Sequence, residues 1–388
     1  MAADETPDSL LSAFRDGFDQ EAAAVSRAPG RVNIIGEHTD YNGGLVMPMA
    51  IDRAIRVAFR ARDDRTVRLV SLDFDARTEF SLNSIEKDPA APWSDYVRGV
   101  AHVMQQAGRA LRGIDAAIAG DVPRGAGLSS SAAFEVACVN AFAHAAGLKL
   151  EALETIKLAQ RAENQFVGVM CGIMDQFVSL LGEAGRALLL DCRSLEYDLV
   201  PLDAERCSVV VADTGVKHEL GATEYNSRRA ECESAAAKLS GREGALLRDV
   251  ERSVFESRRG DLTSGEMKRA GHVFSENERV LSGREALKAA DYGEFGRLMY
   301  ASHESLREKF EVSCEELDAM VEAARASPGV LGARMTGGGF GGCTVNLVET
   351  AATTAFSHSL ARGYRDRTGR DADIMVFRPG PGASVEAV

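Results

Sequence analysis

Near residue 205 the chain changes character, and that change narrows the folds open to it. Before it, strand-like segments with β-branched residues and partial alternation interleave with helices. Strands are expected at 22–35 (two, joined by a Pro-Gly turn), 45–63, 66–74, 78–83, 113–123, 186–192 and 196–202, with another at 207–215. Helices are expected at 8–19, 93–108, 129–146, 151–167 and 174–181. From about 222 to 327 the pattern is nearly all helical and strongly charged. A strand–glycine–strand unit at 332–348, a helix at 351–367 and a strand at 373–378 close the chain. At 388 residues it is too long for one ordinary core. The expectation is an α+β chain of two domains, 1–205 and 206–388, without internal repeats.

Several function classes fall away on composition. A net charge of −13 argues against nonspecific binding to nucleic acid or to an acidic membrane. It leaves a small anionic ligand open, because a local site can be positive on a negative protein. No apolar stretch approaches the length of a membrane span. The opening "MAADETPDSL" is acidic and lacks the basic start and apolar core of a secretory leader. Seven cysteines form no CxxC pair, and there is no HExxH, so neither a disulfide framework nor a zinc site is indicated. A reduced cytoplasmic protein is expected, with no nucleic-acid or membrane partner. Nothing fixes an oligomeric state, and a monomer suffices.

Three glycine-marked segments remain. In "RVNIIGEHTDYNGG" (31–44) a buried strand gives way, after Gly36, to Glu37, His38 and Asp40 on a turn. Such a turn is ordinarily solvated, yet its charged acceptors also suit the hydroxyls of a sugar. A metal site there lacks further His or Cys nearby in sequence. In "PRGAGLSSSAAFEVA" (123–137) two glycines and three serines precede a helix, so free N–H groups and the helix dipole can hold an anion. A serine cap alone would need only one of those hydroxyls. In "TGGGFGGC" (336–343) five glycines in six positions weaken β structure and read either as a flexible hairpin or as backbone packed on a ligand. No Gly-Lys pair occurs, which excludes a Walker loop, and the HRD and DFG triplets of protein kinases are missing.

Together and in this order, the three segments resemble the GHMP family of small-molecule kinases, and within it the galactokinases. "RAENQFVGVMCGIMDQF" (161–177) and "TEYNSRRAECE" (223–233) agree, so the likeness runs from about 20 to 378. It implies an N-terminal domain like ribosomal protein S5 domain 2 and a C-terminal ferredoxin-like domain, with the active site in the cleft between them. It further implies ATP, Mg²⁺ and galactose, with phosphorylation of the C1 hydroxyl. Glu37, His38, Thr39, Asp40, Gly172, Asp175 and Tyr225 would bind the sugar. Asp175 would be the catalytic base and Arg31 its charge partner. The run Gly125, Ala126, Gly127, Leu128, Ser129, Ser130 and Ser131 would cradle the phosphates of ATP, with Ser131 and Glu163 as Mg²⁺ ligands and Trp93 against the adenine. On residues alone, Asp175 is as readily a helix-start carboxylate, Glu163 a solvated helix face, Arg31 a turn arginine and Trp93 a packing residue. The helices of 222–327 are read as scaffold and lid, without chemistry. Rival readings are a kinase for N-acetylgalactosamine, galacturonate or arabinose, and a non-catalytic sugar sensor on the same fold.

Overall fold

The computed structural model describes residues 6–217 and 221–388. Residues 1–5 of the acidic opening, part of the stretch weighed above for a leader, lie outside the described residues. The first half runs α1 (Thr6–Phe18), β1 (Ala24–Ile35), β2 (Leu45–Ala61), β3 (Thr66–Ser71), β4 (Ala76–Ser81), α2 (Asp95–Gln106) and β5 (Ile114–Gly120). It continues with α3 (Ser130–Ala145), α4 (Ala152–Arg161), a π-helical turn at Ala162–Val167, α5 (Met174–Leu181), β6 (Arg186–Asp191) and β7 (Tyr197–Pro201). The second half runs β8 (Cys207–Lys217), α6 (Gly221–Ser240), α7 (Arg252–Ser257), α8 (Ser264–Lys288), α9 (Tyr292–Ser305) and α10 (Glu315–Arg325). It ends with β9 (Val330–Thr336), β10 (Gly341–Glu349), α11 (Thr353–Thr368), β11 (Asp373–Phe377) and β12 (Ser384–Ala387).

Two sheets organise these elements. One has the order β12-β1-β2-β5-β3-β4, with the β6–β7 hairpin attached to β2. The other is the antiparallel set β11-β8-β10-β9, whose apolar face receives Met320, Val321 and Ala324 of α10 and Phe356, Leu360 and Tyr364 of α11. Helix α3 lies in the main core, with Ala133, Val136, Ala137, Val139 and Phe142 buried. Its many alanines carry little side-chain bulk, so it can be buried nearly all round while its N-terminus stays at a cleft. Strand β3 shows the alternating burial of a sheet with one covered face.

The structure departs from the sequence expectation at two places that matter. The expected Pro29-Gly30 turn is continuous strand, with only a register irregularity against β2 between Pro29 and Arg31. Gly30 serves close approach instead. A Cβ there would lie 2.7 Å from the Leu128 carbonyl, and the neighbouring Arg31 amide donates to that same oxygen at 3.0 Å. Strand β12, unanticipated in a Gly/Pro-rich tail, pairs with β1 through Ala24–Arg27, so the chain ends on the sheet where it began.

Candidate active site

The polar turn after β1 is assembled from both halves of the chain. Gly36 has φ 94°, and its amide donates to Glu276 Oε1 of α8 at 3.0 Å. A Cβ at Gly36 would sit 2.7 Å from the Leu45 carbonyl, so glycine is required twice over. Glu37 turns inward. Its Oε2 accepts from Arg334 Nη1 at 2.8 Å, and that arginine, fully buried on β9, also donates to the carbonyls of Ile34, Asn33 and Met335. His38, left-handed at φ 59°, bonds Tyr41 Oη through Nδ1 at 2.8 Å and is packed by the rings of Phe310 and Tyr225. Burial lowers its pKa to about 4, so the ring is neutral at physiological pH. Thr39 does not line the cleft. Its buried hydroxyl lies within reach of the Gly36 and Leu45 carbonyls at 3.0 and 2.7 Å, so that side chain holds the turn.

Asp40 is the carboxylate that faces the opening. Burial raises its pKa to about 6, Asp175 and Glu37 add repulsion, and the Tyr41 amide and Arg31 offset part of it. Gly172 lies against this carboxylate, where a Cβ would come within 2.1 Å of Oδ2. Asp40, Glu37, His38, Tyr225, Gly172, Arg31 and Asp175 line one cleft of about 510 Å³, which Gly337 and Gly338 also line.

Asp175 stands in the first turn of α5 and is held by a two-point contact. Arg31 Nε donates to Oδ1 at 2.7 Å and Nη2 to Oδ2 at 2.6 Å, the fork geometry that fixes a carboxylate in plane. The remaining Arg31 nitrogen donates to the Gly127 carbonyl at 2.6 Å, and the Ser129 hydroxyl donates to Asp175 Oδ2. Strand β1, helix α5 and the glycine–serine loop are thereby tied at one point. The loop carries positive φ at Gly125, Gly127 and Ser129 before α3 begins at Ser130. Alternation of this kind turns successive amides inward and makes an anion-binding concavity. Across a cleft of about 280 Å³, Gly125, Ala126 and Gly127 face the glycines of 337–342, with the Cys343 thiol donating to the Ala126 carbonyl at 3.1 Å. Leu128, by contrast, is buried and contributes through its backbone.

A third cleft, about 650 Å³, is mostly apolar and opens beside Ser130 and Ser131. Trp93 lines it together with Phe74, Tyr96 and Phe134. Glu163 lies on the π-helical turn, 5% exposed, and three neutral donors reach it: Cys171 Sγ at 3.1 Å, Gln176 Nε2 at 3.0 Å and the Ser131 hydroxyl. Burial raises its pKa, and the three donors only partly offset this. No group of three or more His, Cys, Asp or Glu side chains able to hold a metal alone occurs among the described residues. A buried carboxylate beside a loop alcohol, without a cationic partner among the described residues, nevertheless fits an ion that takes its other ligands from water and phosphate, as Mg²⁺ does.

The helices read as plain scaffold hold the turn from behind. Glu276 and His272 lie one turn apart on α8 and grip the Gly36 amide and the Glu37 carbonyl, while Asn277 accepts from the Leu45 amide. Gln176 bridges Glu163 to a second buried carboxyl, Glu135 of α3. The one signal that could have exposed the α8 set is its polar residues at helical spacing in a helix without a clean apolar stripe.

Comparison with known proteins follows the same lines. Residues 12–61 match the family description "Galactokinase galactose-binding signature", 95–183 the GHMP kinases N terminal domain and 284–364 the GHMP kinases C terminal. A galactokinase of Chloroflexus aurantiacus is 48% identical over 97% of each chain. The galactokinase of Bos taurus is 43% identical, covering 97% of this chain and all of its own. The crystal structure of Lactococcus lactis galactokinase complexed with galactose superposes with a TM-score of 0.91 at 35% identity, over 97% of this chain and 99% of that one. Mevalonate kinase, at 18% identity and a TM-score of 0.64, shares the fold.

Proposed function

The chain belongs to the galactokinase family of GHMP kinases, and on that premise we propose that it transfers the γ-phosphoryl group of ATP to the C1 hydroxyl of D-galactose, giving galactose 1-phosphate and ADP. The observation that carries this reading is the position of Asp175. Its carboxylate faces the sugar-sized cleft while its partners Arg31 and Ser129 belong to the strand and loop that form the phosphate cradle. Phosphoryl transfer demands in-line placement and charge neutralisation above all. Asp175 aims the hydroxyl and takes its proton. Arg31 holds that carboxylate by two hydrogen bonds and offsets the negative charge that builds during transfer. Ser131 and Glu163 would hold Mg²⁺, which when bound draws off charge from the phosphate oxygens. Asp40, His38, Glu37 and Tyr225 orient the remaining sugar hydroxyls, and Trp93 and its neighbours take the base.

The direct test is ADP release from ATP with a panel of sugars. Galactose is expected to stimulate it strongly. Stimulation by N-acetylgalactosamine and none by galactose would overturn the substrate while leaving the family intact.

Asp40 supplies a second test. Asp40→Ala removes a hydroxyl acceptor, so the galactose KM should rise strongly while ATP affinity holds. Because the free enzyme's Asp40 titrates near pH 6, kcat/KM for galactose should fall as pH drops through that value, where protonation weakens the acceptor. That acidic limb should be missing in Asp40→Asn. A limb unchanged in the variant would assign it to another group.

A further inference from the structure

We propose that Arg124 is a nucleotide-binding residue, its guanidinium meeting the phosphate chain of ATP where the chain leaves the aromatic cleft. The proposal rests on the reading that the base of ATP occupies that cleft. Arg124 directly precedes the loop glycine Gly125 and lines the cleft together with Trp93, Ser130 and Ser131. Its guanidinium lies 4.6 Å over the Phe74 ring, and Phe74 in turn lies parallel to Trp93 within 12°, at 6.0 Å between centroids. Cation, phenyl and indole therefore form a stepped stack along one wall. Phe74 is 51% exposed, unusual for a phenylalanine, which leaves its ring edge available to a planar ligand.

Charge decides what the guanidinium is for. A nucleoside triphosphate is a polyanion, and this loop has no lysine. Neither the aromatic cleft nor the cleft between the glycine loops is lined by any other side-chain cation among the described residues. Arg31, the cation of the sugar cleft, is already committed to Asp175 and the Gly127 carbonyl. Arg124 makes no ion pair or hydrogen bond with the described residues. Asp73, whose pKa burial raises, lines the same cleft and feels the Arg124 charge without an ion pair to it, so a phosphate would compete with that acid. A cation held over the Phe74 ring spends none of its N–H donors on that contact, so they remain for oxygen acceptors.

The test is calorimetry with ADP, and competition with adenosine, on the unaltered protein, Arg124→Leu, Arg124→Lys and Trp93→Ala. Arg124→Leu is expected to raise the ADP Kd about 3- to 20-fold, between an exposed ion pair and a charged hydrogen bond. Adenosine affinity should stay unchanged, the deficit should shrink at high salt, and Arg124→Lys should recover part of it. Unchanged ADP affinity in Arg124→Leu overturns the proposal, as does an equal loss for adenosine and ADP, which would make Arg124 a packing partner of the base. Trp93→Ala should weaken both ligands. If it weakens neither while Arg124→Leu weakens ADP, the base lies elsewhere and the phosphate contact stands.

Discussion

Asp175→Asn is expected to lower kcat by about 100- to 10,000-fold, the usual range for a lost general base, with a much smaller change in galactose affinity. The amide keeps the shape and can still accept from the C1 hydroxyl, but it cannot take a proton at neutral pH. It also breaks the fork. One Arg31 nitrogen, at 2.7 or 2.6 Å in the intact pair, would face an NH₂ group instead of an oxygen. The variant therefore tests base and charge partner together, and Arg31→Ala separates them. If transfer depends more on neutralising charge than on removing the proton, Arg31→Ala is the costlier change, as a loose transition state would have it. Steady-state kcat with galactose affinity measured separately decides between them. A folded Asp175→Asn enzyme with near-normal kcat would reduce this residue to an ordinary helix-start carboxylate.

The second large effect is on stability. Arg334→Met should cost about 3–5 kcal/mol, the range for removing one member of a buried ion pair. The arginine is fully buried, and its Nη1, Nε and Nη2 serve the Glu37 carboxylate and three backbone carbonyls at 2.5 to 2.9 Å. Methionine fills similar space but removes four donor contacts, leaving Thr336 Oγ1 at 3.3 Å from Glu37 and 3.2 Å from the Asn33 carbonyl as poor substitutes. Lysine would keep the charge yet could not span four acceptors, so Arg334→Lys should rescue only a fraction. Urea unfolding measures this. A loss under about 1 kcal/mol, as for an exposed pair, would mean that water enters the site and screens Glu37.

What could be read from the chain and what could not divide along a physical line. Short-range devices were legible: the glycines that permit positive φ at 36, 125 and 127, and the serines opening α3. The family resemblance added the Asp175–Arg31 pair, which residues alone left open and which the structure brings to a double hydrogen bond. Long-range support was not legible. Arg334, His272 and Glu276 look like surface charges in a helical or glycine-rich sequence, and only folding reveals that each is buried against the turn. Pro29-Gly30 misled for the same reason. A turn is the common local use of that pair, whereas here the glycine makes room for a loop almost 100 residues away. Strand β12 likewise owes its existence to the free edge of β1 and not to its own sequence.

The Glu37–Arg334 pair also sets an order of events during synthesis. Glu37 leaves the ribosome 297 residues before the cation that neutralises it, and the α8 side chains that grip the same turn emerge about 240 residues after Gly36. Until then a nascent N-terminal half can pair β1 with β2, but it holds Glu37 without its arginine at the rim of the 510 Å³ cleft. The turn that lines the 510 Å³ cleft is thus a late product, held in place only once α8 and β9 have been made and folded against it.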